Sequence, residues 1–96
     1  MTQAWDPRVA AHLTEIARQG LRVQPWTSGP HAAFALHDHP YAKVLVVAQG
    51  SMTFTIEPGR RQVAMRVGDR LDLPAGTQHS AIVSDDGVEC LEAHRG

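Results

Sequence analysis

The sequence predicts an all-β domain, closed into a barrel or jelly roll and preceded by one short α-helix. Three observations predict it. Apolar and polar residues alternate along several short segments, as where Met52, Phe54 and Ile56 are separated by Thr53 and Thr55. Turn residues return about every ten positions, the spacing of a β-sandwich or barrel rather than of βαβ units. Only one segment, near the start, carries a helical period. A lone sheet of this size would leave an apolar face wet, and closing it removes most of the edges.

The helix is expected over residues 7–19. Asp6 can cap it, Pro7 suits the first helical position, Val9, Leu13, Ile16 and Ala17 recur on one face, and Gly20 fits the stop. A strand follows at Leu21 and Val23, closed by Pro25, and Thr27 to Pro30 reads as a turn. His31 to His39 is extended and ends at Pro40. Lys43 to Ala48 is rich in β-branched residues and reads as a buried strand. Gln49–Gly50 is a tight turn before the Met52–Ile56 strand, and Glu57 to Arg60 is the next turn. Val63, Met65 and Val67 alternate, Gly68–Asp69 turns, and Leu71 and Leu73 alternate after it. Pro74 to Gly76 turns again. His79 to Val83 is a strand, Asp85 to Gly87 a turn, and Val88 to His94 the last strand.

Ninety-six residues make one domain, divided into a helical segment over 1–20 and a barrel over 21–96. A net charge of −1 and a pI near 6.6, with scattered Lys and Arg, exclude a nucleic-acid binder with a basic stripe. The longest apolar run, Val44 to Ala48, falls far short of the ~20 residues of a membrane span. Met1 to Pro7 shows no basic segment followed by an apolar core, so no signal peptide is expected. The single cysteine, Cys90, has no partner for a disulfide within the chain, and a reducing cytoplasm is the natural setting.

Six histidines in so short a chain stand out. His37 and His39 are two apart on an expected strand, so both imidazoles project from one face and can chelate one ion. His79, just after the Pro74–Gly76 turn, is the candidate third donor. Three imidazoles favour a transition metal over Mg or Ca and leave coordination positions open. His12, His31 and His94 read as surface residues. Met52, Phe54, Ile56, Met65 and Leu73 read first as core, one face of which can line a pocket. Cys90 would face inward near the metal or serve as a small hydrophobe.

The spacing around these histidines resembles the cupin superfamily. Its first motif runs G-x5-H-x-H-x3–4-E-x6-G, and His37, His39 and Gly50 fall on it. Its second runs G-x5-P-x-G-x2-H-x3-N, and Gly68, Pro74, Gly76 and His79 fall on that. The resemblance implies a double-stranded β-helix barrel holding one divalent metal, Zn, Fe, Ni, Mn or Cu, through His37, His39 and His79. It also implies a small-molecule ligand or substrate and a homodimer, for which Trp5 and Trp26 are candidate contacts. The family spans dioxygenases, isomerases, decarboxylases, cyclases and non-enzymatic storage or sensor domains, so the fold does not choose the reaction. The alternative is a barrel that binds a carboxylate or sugar without metal.

Three motif positions depart: His31 and Val83 replace a glycine and an asparagine, and Lys43 replaces the glutamate. Lys43 shares the parity of the histidines, and inside the barrel its ammonium would be repelled by a divalent ion about 5 Å away by roughly 7 kcal/mol at an effective dielectric near 20. Three arrangements relieve this. The lysine reaches a carboxylate such as Glu57, Asp72, Glu89 or Glu92; it loses its proton; or it holds an anionic ligand with no metal present. Lys43 is the candidate for orienting an anionic ligand, and Tyr41 for lining the mouth of the site.

Overall fold

The computed structural model describes residues 5–96; the reading of the extreme amino terminus falls partly on residues 1–4, outside them. One helix, α1 (Pro7–Arg18), precedes six strands: β1 (Gln24–Ser28), β2 (Ala33–His37), β3 (Ala42–Ile56), β4 (Arg61–Arg66), β5 (Arg70–Leu73) and β6 (His79–Arg95). α1 begins where its sequence requires. The Asp6 side chain accepts the Arg8 backbone N–H and proline fills the first turn. Its face of Val9, Leu13 and Ile16 packs on Val44, Val46, Ala48, Leu91 and Ala93.

The long strands β3 and β6 pair antiparallel along nearly their whole length. β1 and β2 lie end to end along the other margin of β6, and β4 and β5 end to end along the other margin of β3. All six strands form one sheet, whose two outer margins are not hydrogen-bonded to each other. The sheet folds over itself instead. Leu45, Val47, Met52, Phe54, Met65, Val83, Val88 and Cys90 meet inside the fold, while α1 covers the outside of one half. The outer face of the other half holds an open depression of about 1110 Å³ edged by Arg8, Arg60 and Arg66.

Two expected turns are bends within single strands. The chain does not reverse at Gln49–Gly50 or at Asp85–Gly87. β3 and β6 run straight through, with register shifts on either side of Gly50. Gly50 and Gly87 both sit at positive φ, +74° and +73°, and their backbones touch. A glycine at positive φ serves a bulge as readily as a reversal, which is why the sequence alone suggested turns.

Two smaller shifts occur nearby. β1 starts at Gln24 rather than Leu21 and runs through Pro25, Thr27 and Ser28, so the turn begins only at Gly29. Proline is tolerated there because β1 is an edge strand paired only with β6. Leu21 and Val23 pack with the α1 cluster instead.

A Cβ at position 50 would lie 2.0 Å from the Gly87 carbonyl oxygen, whereas one at Gly20, also at positive φ, would meet nothing within 4 Å. Gly20→Ala is therefore expected to cost about 1 kcal/mol of backbone strain alone. Gly50→Ala is expected to cost about 3 kcal/mol or more, since the bend itself must open. Urea midpoints of the two variants check the difference.

Candidate metal centre

His37 closes β2 and pairs directly with His79, the first residue of β6. His39 does not share the strand, as its spacing suggested; it lies two residues beyond the end of β2 in the loop to β3. The loop is pinned there, because the His39 carbonyl accepts the Gly76 N–H at 2.8 Å. The Pro74–Gly76 turn thus holds His39 by its backbone and leads directly into His79.

The three rings converge. Centroids are 4.3 Å apart for His37–His79, 4.7 Å for His37–His39 and 5.5 Å for His39–His79. One ring nitrogen from each lies within 4.8 Å of the others. The Nδ1–H of His37 donates to the Ala35 carbonyl at 2.6 Å, and that of His79 to the Thr77 carbonyl at 2.9 Å. A carbonyl only accepts, so both rings carry their hydrogen on Nδ1 and leave the Nε2 lone pair free. His39 Nε2 is buried and has no hydrogen-bond partner. An orphaned buried nitrogen beside two oriented imidazoles is what a metal ion would satisfy, so the donor set fits one.

Burial pushes the pKa of His39 and of His79 below the ordinary histidine value, and the Lys43 charge adds to both. For His79 the Thr77 carbonyl opposes the shift without cancelling it. Both rings are thus held neutral, the form that ligates metal.

Lys43 points into the fold, as its parity with Leu45 and Val47 requires. Among the four candidate carboxylates it pairs with Glu92, Nζ to Oε1 at 3.2 Å, both side chains largely shielded at 13% and 15% exposure. Asp72 pairs with Arg70 instead, and Glu57 accepts the Arg60 N–H. Glu92 Oε1 also accepts the Trp26 indole N–H at 3.0 Å, and Oε2 accepts from His94 Nε2. Burial alone would raise the Glu92 carboxyl, but His94, Lys43 and Trp26 outweigh it and hold its pKa below the usual value.

One expectation changes here. Trp26, a candidate for a subunit contact, packs inside against the core and edge-on to Phe34. His94 lies at the surface, as expected, at 45% exposure, and its Nε2 meets Glu92 Oε2. Tyr41 stands with its ring between His39 and His94, at 5.0 and 4.2 Å. Its place is to brace His39. Trp5 packs on the α1 cluster. Cys90 faces inward but is fully buried, and burial pushes its thiol up to about 12, so it packs as a small hydrophobe. Glu92 was discoverable as an interior residue from its parity with Val88 and Cys90. Its choice as the lysine's partner was not.

A cavity of about 160 Å³ adjoins the histidines, lined by His37, His79, Lys43, Glu92, Trp26, Phe34, Met52 and Phe54 among others. Of the expected wall residues, Ile56, Met65 and Leu73 belong to the core and do not line this cavity. The larger outer depression holds none of the histidines, so the site is the small interior cavity.

The unfolded chain binds protons at these imidazoles from pH 6.5 downward, while the folded rings resist them. Stability from His39 and His79 is thus complete above pH 6.5 and falls as pH drops from there toward the folded pKa. Metal-free protein is expected to show a lower urea midpoint at about pH 5.5 than at about pH 7.5, and His39→Gln/His79→Gln should flatten that loss.

No family model and no curated protein matches the chain. Solved structures do. The DMSP lyase DddQ of Ruegeria pomeroyi is 22% identical with a TM-score of 0.72, and the match covers 79% of this chain and 38% of that one. The oxalate decarboxylase of Bacillus subtilis, a protein with Mn(II) centres, is 27% identical with a TM-score of 0.66, covering 77% and 20%. An RmlC-like cupin of Shewanella frigidimarina is 18% identical with a TM-score of 0.67, covering 77% and 64%. The chain thus spans well under half the length of the lyase and of the decarboxylase. The folded-over sheet, the motif positions and these neighbours agree: the chain has the fold of the cupin superfamily.

Proposed function

We propose that the chain is a metal-binding cupin. It holds one divalent transition metal through His37, His39 and His79 and takes a small anionic or carbonyl-containing ligand in the adjoining cavity. The observation that carries this reading is the buried, unpartnered His39 Nε2 beside two imidazoles whose Nδ1–H groups are already tied to carbonyls. A bound ion supplies Lewis acidity or redox chemistry at its open positions. The chain's own residues do the rest: two backbone carbonyls orient rings, Tyr41 braces His39, and Lys43 faces the ligand with a positive charge. Zn, Fe, Ni, Mn and Cu all suit three imidazoles, and the Mn(II) centres named for the Bacillus subtilis neighbour favour including manganese.

In the same reading residues 1–20 form the helical cover and residues 21–96 the metal-binding barrel. The chain works in a reducing cytoplasm as a homodimer. Its buried unpaired cysteine and the open outer face with Ile82 61% exposed support that. Among the described residues no helix is long and apolar enough to cross a membrane.

A metal-free receptor for a carboxylate or sugar is the second reading. Lys43 favours it, because its charge adds to the effects that keep His39 and His79 from gaining a positive charge and would oppose a cation beside them as well.

Elemental analysis of protein made without a histidine tag decides between them. The metal reading expects about one transition-metal ion per chain and near-complete loss in His79→Ala. Metal content below a tenth of that, or unchanged in His79→Ala, overturns it.

A further inference from the structure

We infer that Glu92 is a specificity-determining residue of the cavity: its carboxylate occupies, on Lys43, the place a ligand's carboxylate takes, and the ligand binds by exchanging with it. The inference rests on the anionic-ligand reading of the same cavity.

Size and charge lead to it. A dry cavity of about 150 Å³ accepts benzene, so one of about 160 Å³ suits a ligand of about six or seven non-hydrogen atoms. Its walls are mostly apolar, and an anion entering such a space must meet a cation or hydrogen-bond donors. Among the described residues Lys43 is the one lysine or arginine lining it, and Glu92 already matches that charge at 3.2 Å. An added anion with Glu92 still in place would leave two carboxylates contending for one ammonium. Exchange removes the conflict and also frees the Trp26 indole N–H, which now binds the same Glu92 oxygen.

Glu92 has a place to go. It also lines a second, shallower cleft of about 190 Å³ with Arg22, Gln24 and His94. It is the residue common to both spaces. His94 already holds its Oε2 on that side, and Arg22 supplies a cation there. Rotation of one side chain carries the carboxylate from Lys43 toward Arg22 without leaving it unpaired. The ligand class is a small carboxylate, one of whose oxygens replaces Glu92 Oε1 on Lys43 and Trp26.

Malonate and its neutral diamide distinguish charge exchange from simple space. Both are titrated calorimetrically into the wild type, Glu92→Gln, Glu92→Ser and Lys43→Met, with folding checked by thermal melts. The expected result is malonate binding about tenfold tighter in both Glu92 variants, about tenfold weaker in Lys43→Met, and diamide binding unchanged throughout. Equal or weaker malonate binding in the Glu92 variants overturns the inference. So does an equal gain for the diamide, or no malonate binding by any variant. Metal content of each sample is measured alongside. Loss of metal with the malonate pattern intact overturns the metal reading alone, and retained metal with a flat malonate response overturns the exchange alone.

Discussion

The fold depends on one close approach of backbone to backbone, Gly50 against Gly87. A side chain on Gly50 would drive into the Gly87 carbonyl and hold β3 and β6 apart at their middle, where the sheet bends back on itself; one on Gly87 would press on the Ser28 carbonyl of β1 instead. With the bend, the inner faces of the two halves enclose one apolar core. Lys43 and Glu92 stand in one half of that bent sheet, and His37 and His79 in the other. The cavity is the space between halves, so the bend is what lets groups distant along both long strands face each other.

Charge is balanced inside that space with little to spare. His39 and His79 are kept neutral by burial, and the lysine is answered by a glutamate from the neighbouring strand. A buried ion pair is no strong source of stability, because desolvation offsets much of its attraction. Its value is positional. Glu92 accepts from a lysine, an indole and an imidazole, which draws β1, β3 and β6 together around one carboxylate. The same contacts answer the repulsion that a lysine in the glutamate's usual place would otherwise bring.

Much of this was legible in the residues. Alternation marked the strands because half of each strand faces the core, and the helix bounds followed from Asp6, Pro7 and Gly20. The convergence of His37, His39 and His79 was legible through motif spacing. The stated reason was only partly right, since His39 is held by a loop and a backbone hydrogen bond rather than by strand parity. The two bends were not legible, because positive φ at glycine looks the same in a reversal and a bulge. Nor was the partner of Lys43. Choosing Glu92 over Asp72, which sits opposite Val44, needs the cross-strand register that sets Glu92 opposite Leu45 on the inner face. Trp26 was misread because its role exists only once Glu92 is in place.

The sealed thiol carries a last consequence. Cys90 has no exposed surface, and its ionisation is pushed up to about 12, so the reactive thiolate is scarce near neutrality and unreachable while the fold is closed. Alkylation of this single sulfur therefore proceeds only through molecules that have opened. The rate of its capture by a maleimide is a clock for that opening, carried by the natural chain, and needs no added label to read how often β3 and β6 part.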